Sequence, residues 1–381
     1  MQPQMPLQQL QERGQSIWLD FIERRFLNDG SLQQLIREDG VSGVTSNPAI
    51  FYAALNHAQD YQQAIARLVK QGLSNTNIYE HITIDDIVQA AEQFHPTYIL
   101  TKGADGFVSI EVSPLLAHDA DATVQAATRL WNLIHQPNVL IKVPGTLEGL
   151  TAVRRLIAEG INVNVTLLFS PHRYMAAVEA YFAGLEDRLA MGKPLQHINS
   201  VASFFLSRID TKVDAALDTL ARGNDSGKAQ LAQALRGRTA IAYAGMAYHR
   251  FMELYATPRW QHLAEQGARK QRLLWASTGA KDPLANPLKY VENVIAAETV
   301  NTIPLPTLEL YRRNGNPNRN LSDSLHEASE VLHQLNSVGI KLIEIEAQLE
   351  SEGIQKFIEP YQGSLSMIES LRSRAYSHTL Q

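Results

Sequence analysis

The chain has 381 residues, 45% of them apolar, and a formal net charge of −5. Acidic residues outnumber basic ones, which argues against a general nucleic-acid binder, because such a protein needs clustered Lys and Arg. The chain contains no cysteine, so disulfides, thiolate metal sites and a cysteine nucleophile are excluded. By length alone, a prior of about one domain per 150 residues predicts two or three domains.

The chain carries no recognisable targeting or membrane segment. Its first residues lack a basic region followed by an apolar core, so we expect no secretory signal peptide. No run approaches about 18 consecutive apolar residues, which predicts that no helix crosses a membrane. We therefore expect a cytoplasmic protein whose partners include neither a membrane nor a nucleic acid.

Short apolar or alternating segments recur along the chain, and longer amphipathic segments separate most of them. The eight segments predicted to be strands are 17–21, 43–47, 107–112, 139–143, 163–169, 202–206, 273–277 and 300–303. Alternating strands and helices predict a parallel sheet. The sheet is either open and doubly wound, or closed into a (β/α)8 barrel.

Side-chain alternation within the strands helps to choose between these folds. Glu111, Lys142 and Asn164 each lie on a polar face of their predicted strand, opposite an apolar face. Helices cover both faces of an open parallel sheet, so its strands read as nearly continuous apolar runs. In a barrel, apolar residues pack outward on the helices and polar ones point into the lumen. We therefore predict an α/β fold, a (β/α)8 TIM barrel.

The helix after the fifth predicted strand has clear start signals. Ser170 is a good N-cap, and Pro171 suits the first helical position, where its missing N–H costs nothing. The apolar residues that then recur at helical spacing are Met175, Val178, Phe182, Leu185 and Leu189. This pattern predicts a helix that packs one face on the barrel.

The remaining length is predicted to form helical insertions and a helical C-terminal extension. Amphipathic patterns cover 61–69, 84–94 and much of 211–270. One apolar stripe in the extension comprises Leu332, Leu335, Val338, Leu342 and Ile345. These segments lack the apolar strands of a second core, so we expect residues 1–381 to form a single domain. We interpret them as lids or subunit contacts, which leaves a homo-oligomer open.

Lys142 is the one lysine that lies inside an apolar strand segment. Burying its ammonium group is costly unless the group gives up its proton or pairs with a carboxylate. A lysine held as the free amine can attack a carbonyl carbon and form an imine. The alternatives are an edge-strand lysine that reaches solvent and a structural ion pair.

Other polar residues on the predicted strands fit a site that handles carbonyl compounds. Asp20 and Glu111 are acids at positions where a buried carboxylate needs a role or a partner. Asn47, Asn164 and Thr166 are neutral groups suited to the hydroxyls of a polyol. Each residue alone is explained as a satisfied buried polar group. Together with a strand lysine, the five favour a functional site.

Three segments resemble the transaldolase family. Residues 43–51 read GVTSNPAIF, residues 139–150 read VLIKVPGTLEGL, and residues 161–170 read INVNVTLLFS. The three occur in the family's order, and the resemblance covers the eight predicted strands. The SNPAIF form is similar to the branch that is sometimes fused to glucose-6-phosphate isomerase. Too few residues follow Pro306 for an isomerase domain, so we expect no fusion.

The resemblance implies a Schiff-base transferase of the pentose phosphate pathway, which moves a dihydroxyacetone unit between sugar phosphates. Lys142 would be the nucleophile that captures the donor ketose as an imine. Asp20 would be the general acid/base for carbon–carbon cleavage. Glu111 and Thr166 would relay protons through a water while the carbinolamine forms and collapses.

The resemblance also implies that Asn47 and Asn164 hold hydroxyls of the dihydroxyacetone unit. It implies no metal and no organic cofactor, since the imine does the work of a metal ion. Consistent with this expectation, no two of the twelve histidines lie four residues apart, so the helical zinc motif is missing.

Phosphate-binding positions of the family match Ser203, Arg208 and Ser277. Arginine suits a phosphate because it donates two parallel charge-assisted hydrogen bonds. The best-known branch carries an arginine directly after the seventh strand, whereas this chain has none there. Lys281 is interpreted either as the second positive charge or as a solvated loop lysine.

Two other functions are considered beside the transferase. A lysine-dependent aldolase on the same barrel would cleave a ketose without passing the fragment on. A catalytically silent barrel that only binds sugar phosphates would be expected to lack the lysine or the carboxylates. Lys142, Asp20 and Glu111 are all present, which disfavours the silent barrel.

Overall fold

The structure, a computed structural model, describes residues 6–57, 59–321 and 325–379. Eight parallel strands close into a barrel in the order of the chain, and the last strand pairs with the first. Strands β1 to β8 are Gln15–Leu19, Gly43–Thr45, Phe107–Glu111, Val139–Pro144, Val163–Leu168, Ser200–Phe205, Arg272–Ala276 and Thr299–Ile303. The predicted (β/α)8 barrel is confirmed, and the open doubly wound sheet is excluded.

Helices lie before the first strand, between the strands and after the last one. In the described residues, α1 to α17 are Pro6–Glu12, Arg24–Asn28, Ser31–Gln34, Pro48–Leu55, Gln59–Lys70, Asn75–Leu100, Ala120–Ile134, Leu147–Glu159, Pro171–Ala190, Ser207–Ala221, Ser226–Leu235, Thr239–Leu254, Pro258–Glu265, Lys289–Glu292, Leu305–Asn314, Leu325–Ser337 and Leu342–Thr379. A π-helical turn covers Leu35–Asp39, and a 3₁₀ turn covers Pro114–Leu116. Within this part of the chain, no helix combines the length and apolarity needed to cross a bilayer.

β1 and β2 each end two residues earlier than predicted, the largest differences at the carboxyl ends of the strands. β1 ends at Leu19, so Asp20 follows the strand instead of lying in it. β2 ends at Thr45, and Asn47 is the N-cap of α4, where its side chain accepts a hydrogen bond of 3.0 Å from the backbone N–H of Ile50. The carboxyl ends of parallel barrel strands meet at one rim, where barrel enzymes hold their active sites. Asp20 and Asn47 therefore both lie at that rim.

β5 is irregular near its carboxyl end. Its register against β6 shifts between Val165 and Leu168, and Leu167 has a φ of 60°. A positive φ is unusual for a bulky residue, because the side chain crowds the backbone there. The simple alternation predicted for this strand therefore stops at Thr166, which is fully buried.

α9 begins as predicted after β5. The Ser170 hydroxyl accepts a hydrogen bond of 3.2 Å from the backbone N–H of Arg173, and Pro171 is the first helical residue. Val178, Phe182 and Leu185 of the predicted stripe are buried, and Leu189 is partly buried. Met175 was wrongly placed on that face: it is 37% exposed, because it lies near the rim end of α9.

The insertions and the extension are helical as predicted. α4, α5 and α6 share a small apolar cluster with Ile368 of α17. α17 also packs against α10 and the carboxyl end of β5, and so it reaches the catalytic rim. The five apolar residues of the predicted stripe all pack on the core, but the stripe is divided between two helices, because α16 ends at Ser337 and α17 begins at Leu342. Gly339 allows the intervening turn, with a φ of 92°.

Polar side chains at the amino ends of the strands form a network around Asp105. Its carboxylate accepts hydrogen bonds from the Trp18 indole N–H at 2.8 Å, from the Ser42 hydroxyl at 2.9 Å and from the Ser16 hydroxyl. The guanidinium of Arg272 lies 3.6 Å from the same carboxylate. This end of the barrel therefore holds a buried charge with many partners.

Candidate active site

Lys142 lies on β4, which pairs with β3 on one side and β5 on the other. Its side chain is 5% exposed, so an edge-strand lysine that reaches solvent is excluded. Nζ lies 2.5 Å from Oε1 of Glu111 and donates a hydrogen bond of 2.9 Å to the backbone carbonyl of Ser46. The positive charge of the ammonium group is therefore compensated by an ion pair with the Glu111 carboxylate.

Glu111, Lys142 and Asn164 occupy matching register positions on three neighbouring strands. They therefore line the lumen at one level, as the alternation of the strands predicted. The Asn164 amide donates a hydrogen bond of 3.1 Å to the hydroxyl of Ser109 on β3. The Ser203 hydroxyl on β6 donates one of 2.7 Å to Asn164 Oδ1. This arrangement fixes the orientation of the Asn164 amide.

Asp20 meets this group from the end of β1. Its Oδ1 accepts a hydrogen bond of 2.8 Å from the Thr45 hydroxyl. Because the Thr45 hydroxyl donates its one hydrogen to Asp20, the Thr302 hydroxyl, whose oxygen is 2.6 Å away, must donate to Thr45. Burial raises the pKa of the Asp20 carboxyl above its ordinary value, although the positive charges of Lys142 and Arg208 oppose the rise.

The pKa of the Glu111 carboxyl is also raised, and burial is the main cause. The adjacent Lys142 opposes this rise, whereas the negative charge of Asp20 adds to it. Both carboxyls therefore hold a proton more tightly than a solvated acid does. General acids and bases work best when their pKa lies near the operating pH, so the shift suits proton transfer.

Several polar atoms at the rim are buried without a hydrogen-bond partner among the described residues, and two of these, on predicted site residues, also have no ion pair. They are the hydroxyl of Thr166 and one guanidinium nitrogen, Nη1, of Arg208. Leaving a buried donor unsatisfied costs about 1–3 kcal/mol, so nearly all such groups in proteins are paired. Unpaired donors beside a lysine and two carboxyls mark a place where a polar ligand fits.

Arg208 lies in the first turn of α10, directly after β6. Its guanidinium carbon is 5.3 Å from the ring centroid of Phe205 and 5.7 Å from that of Phe357. Burial lowers the pKa of Arg208, while the charges of Glu111 and Asp20 oppose that shift. An arginine nevertheless stays charged at neutral pH, and its planar group suits an oxyanion.

Ser277 and Lys281 follow β7. Ser277 has a φ of 56°, and its hydroxyl lies 2.8 Å from that of Ser207 at the start of α10. The Lys281 side chain is exposed. Its positive charge opposes the rise in the pKa of Asp20, so it lies on the site's side of the loop. The structure therefore brings Ser277 to the rim and leaves Lys281 at its solvent edge.

α17 adds two aromatic residues that the sequence did not reveal. The ring centroid of Phe357 lies 5.9 Å from Lys142 Nζ, and the side chain is buried. Tyr361 lines a cavity of about 130 Å³ that also touches Asn47 and Glu111. Periodicity assigns both residues to the apolar face of a helix, so no signal in the sequence distinguishes them from ordinary core residues.

The rim thus combines an amine, two carboxyls, fixed amides and unpaired donors. In residues 6–57, 59–321 and 325–379, no group of three or more His, Cys, Asp or Glu side chains is placed to hold a metal ion. An amine beside a desolvated carboxyl can form an imine with a carbonyl carbon. The amides and the guanidinium suit a ligand with hydroxyls and an anionic end.

Comparisons with known proteins agree with this geometry. The family model described as "Transaldolase/Fructose-6-phosphate aldolase" matches residues 17–368. A protein of Thiobacillus denitrificans named "Transaldolase" is 44% identical over 93% of this chain and 97% of its own length. One of the same name from Thermobifida fusca is 42% identical over 98% of this chain and 99% of its own. The chain belongs to the transaldolase/fructose-6-phosphate aldolase family.

Proposed function

We propose that the chain is a transaldolase that moves a dihydroxyacetone unit between sugar phosphates through an imine on Lys142. The overall reaction converts sedoheptulose 7-phosphate and glyceraldehyde 3-phosphate into erythrose 4-phosphate and fructose 6-phosphate, in the non-oxidative pentose phosphate pathway. The observation that carries the proposal is the buried pair of Lys142 and Glu111 at the catalytic rim. We also infer a cytoplasmic location, where these substrates occur.

The first step is imine formation. Lys142 passes a proton to Glu111, whose desolvated carboxyl accepts it readily, and the free amine attacks the ketose carbonyl carbon. Glu111 and Thr166 then hold a water that relays protons while the carbinolamine loses its hydroxyl as water. The buried and unpaired hydroxyl of Thr166 supports this role.

The second step is carbon–carbon cleavage. Asp20 removes the proton from the hydroxyl next to the bond that breaks, and the bonding electrons move into the protonated imine. An aldose phosphate leaves, and a three-carbon enamine stays on Lys142. The raised pKa of Asp20 supports its role as the base, because a carboxyl that binds protons tightly takes one readily from the substrate. The enamine then attacks a second aldehyde phosphate.

Asn47 and Asn164 hold the hydroxyls of the three-carbon unit. The capping bond to Ile50 uses Oδ1 of Asn47 and leaves its amide N–H groups free to donate. The Ser203 hydroxyl donates its hydrogen to Asn164, so Ser203 orients that amide. It also lies beside the phosphate end of the bound sugar.

Arg208 holds the phosphate of the substrate, with Ser277 and Lys281 beside it. Its unpaired nitrogen supports this assignment. Arg208→Ala should lower kcat/KM for fructose 6-phosphate about 10- to 100-fold, because it removes a charge-assisted hydrogen bond to the phosphate. The loss for unphosphorylated fructose should be much smaller. Equal losses for both sugars would remove Arg208 from the phosphate role.

Borohydride trapping tests the covalent chemistry. The protein is reduced in the presence of fructose 6-phosphate, and its peptides are mapped by mass spectrometry. We expect a three-carbon adduct on Lys142 that is absent in Lys142→Ala. Lys270→Ala is the matched control, since Lys270 pairs with Glu298 on the surface at the amino ends and should not affect the label. A label on another lysine, or none, would overturn the mechanism.

A lysine-dependent aldolase is the second candidate, because the family description names both activities. The two differ in the fate of the enamine. A transaldolase holds it until an acceptor aldehyde arrives, whereas an aldolase releases free dihydroxyacetone. Rapid release of dihydroxyacetone from fructose 6-phosphate in the absence of an acceptor would favour the aldolase.

A further inference from the structure

Phe357 occupies a position between the two cations of the site. Its ring centroid lies 5.9 Å from Lys142 Nζ and 5.7 Å from the guanidinium carbon of Arg208. The side chain is only 4% exposed. In the proposed function, one cation carries the three-carbon fragment and the other holds the phosphate. The ring therefore lies beside the space that joins them.

The contacts of α17 hold this ring over the rim. Gly353 lies one turn before Phe357, and a Cβ there would come within 3.2 Å of side-chain atoms of Leu167 and Phe169. The helix therefore approaches the carboxyl end of β5 closely because that position is glycine. One turn after Phe357, the ring of Tyr361 meets that of Tyr79 edge-to-face, with centroids 5.2 Å apart.

Ion pairs tie the same part of α17 to two neighbouring helices. Oε2 of Glu350 lies 3.1 Å from Nη2 of Arg173 on α9. Oε1 of Glu352 lies 2.5 Å from Nζ of Lys212 on α10. These helices follow β5 and β6, so α17 is anchored on the rim next to Arg208. Phe357 is thus fixed in place by its helix and does not depend on a ligand for its position.

We propose that Phe357 is a specificity-determining residue, which shields the fragment on Lys142 from water and so favours transfer over hydrolytic release. This inference rests on the proposed function, because it concerns the fate of the enamine. A ring packed between the amine and the guanidinium keeps water away from the enamine carbon, where a proton would start the release. The carbon bound to nitrogen stays open to the water that Glu111 and Thr166 hold, because release of the transfer product needs it. Exclusion of water from a reactive intermediate is an accepted role of a closed site.

The release that Phe357 prevents has a defined course. The electron pair of the enamine double bond takes a proton at carbon, which gives an iminium ion. A water oxygen adds to the iminium carbon and loses its own proton, forming a carbinolamine. The carbinolamine hydroxyl then loses its proton and its oxygen forms the carbonyl double bond, while the carbon–nitrogen bond breaks. The nitrogen keeps the electron pair of that bond and gains a proton, and dihydroxyacetone leaves. One water is consumed and Lys142 is regenerated.

A graded series of substitutions tests the proposal. Phe357→Leu, Phe357→Val and Phe357→Ala open increasing volume beside Lys142. With fructose 6-phosphate and no acceptor, the rate of dihydroxyacetone release is measured. It is divided by the rate of transfer to erythrose 4-phosphate. We expect this ratio to rise along the series, by about tenfold for the alanine variant and least for leucine. The valine variant gives the same test if the alanine variant does not fold.

Ile368→Ala is the matched control, since Ile368 is a fully buried residue of α17 in the separate cluster with α4, α5 and α6. It weakens the packing of the helix without opening the rim, and we expect an unchanged ratio. A flat ratio along the Phe357 series would overturn the inference, and so would an equal rise in Ile368→Ala. Trapping the fragment on Lys142 in every variant shows that the proposed function holds whatever the ratio does.

Discussion

Asp105 and Asp20 are carboxylates at opposite ends of the same barrel. At the amino ends of the strands, Asp105 accepts hydrogen bonds from three side chains and lies near the guanidinium of Arg272. At the carboxyl ends, Thr45 is the one side chain of the described residues that donates to Asp20. Burial raises the pKa of the Asp20 carboxyl, because it outweighs this hydrogen bond and the attraction of nearby cations such as Lys142 and Arg208.

The difference lies in how charged groups are paired. Unpaired amide oxygens also occur near the amino ends, in Gln15 and Gln271, but the amide nitrogen of each is used as a donor. At the catalytic rim, a charged side chain, Arg208, has a buried nitrogen without a partner. Unsatisfied charge reduces stability and is retained where a ligand supplies the missing partner. The amino end of the barrel therefore serves stability, and the carboxyl end serves function.

The largest expected effect is on catalysis at the carboxyl end. Asp20→Asn should lower kcat about 10²- to 10⁴-fold, the usual contribution of a general acid/base. Steady-state transfer from fructose 6-phosphate to erythrose 4-phosphate measures this loss. Asp105→Asn is the matched variant at the other end, and its kcat should stay near that of the unmodified protein. Comparable losses in both variants would contradict the division between the ends.

A smaller effect is expected on stability at the amino end. Asp105→Ala removes the acceptor of the Trp18 indole N–H and of the Ser16 hydroxyl, and it removes the charge beside Arg272. The free energy of unfolding should fall by about 3 kcal/mol, measured by urea denaturation. Glu298→Gln at the same end removes an exposed partner of Lys270 and should change it by about 0.5 kcal/mol or less. A loss as small for Asp105→Ala would show that the network is not stabilising.

Much of the barrel could be predicted from the sequence, because its strands carry a two-residue alternation. Glu111, Lys142 and Asn164 fell on the polar side of that pattern, and they face one another across neighbouring strands. The ends of the strands were less predictable. Asp20 lies beyond β1, and the bulge at Leu167 interrupts β5, since local backbone geometry there depends on tertiary contacts.

The contribution of α17 could not be predicted in the same way. Phe357 follows Lys142 by more than two hundred residues, and its place on an amphipathic helix is typical of a core residue. The turn at Gly339 separates α16 from α17, and it divides the predicted apolar stripe between the two helices. That residues 1–381 form a single domain, and that the site residues have the roles assigned to them, stay predictions.

The smallest expected effect is a pH-dependent gain of stability at the carboxyl end. Burial raises the pKa of the Asp20 carboxyl in the folded protein above its ordinary value of 3.8. As the pH rises from that value, the unfolded chain loses this proton first, so the carboxyl increasingly disfavours the folded state. Asp20→Asn removes the penalty. We therefore expect the variant to unfold at a higher urea concentration than the unmodified protein at pH 7.

Urea denaturation between pH 4 and pH 7 measures the difference in stability between Asp20→Asn and the unmodified protein. This difference should shrink as the pH falls toward 3.8, the ordinary pKa of the Asp20 carboxyl. Asp105→Asn should show no such gain, because it replaces an acceptor that several donors already satisfy. If Asp20→Asn gave no advantage at pH 7, the attraction of Lys142 and Arg208 would outweigh burial. The carboxyl of Asp20 would then be as well compensated as that of Asp105, and the catalytic end would carry no cost in stability.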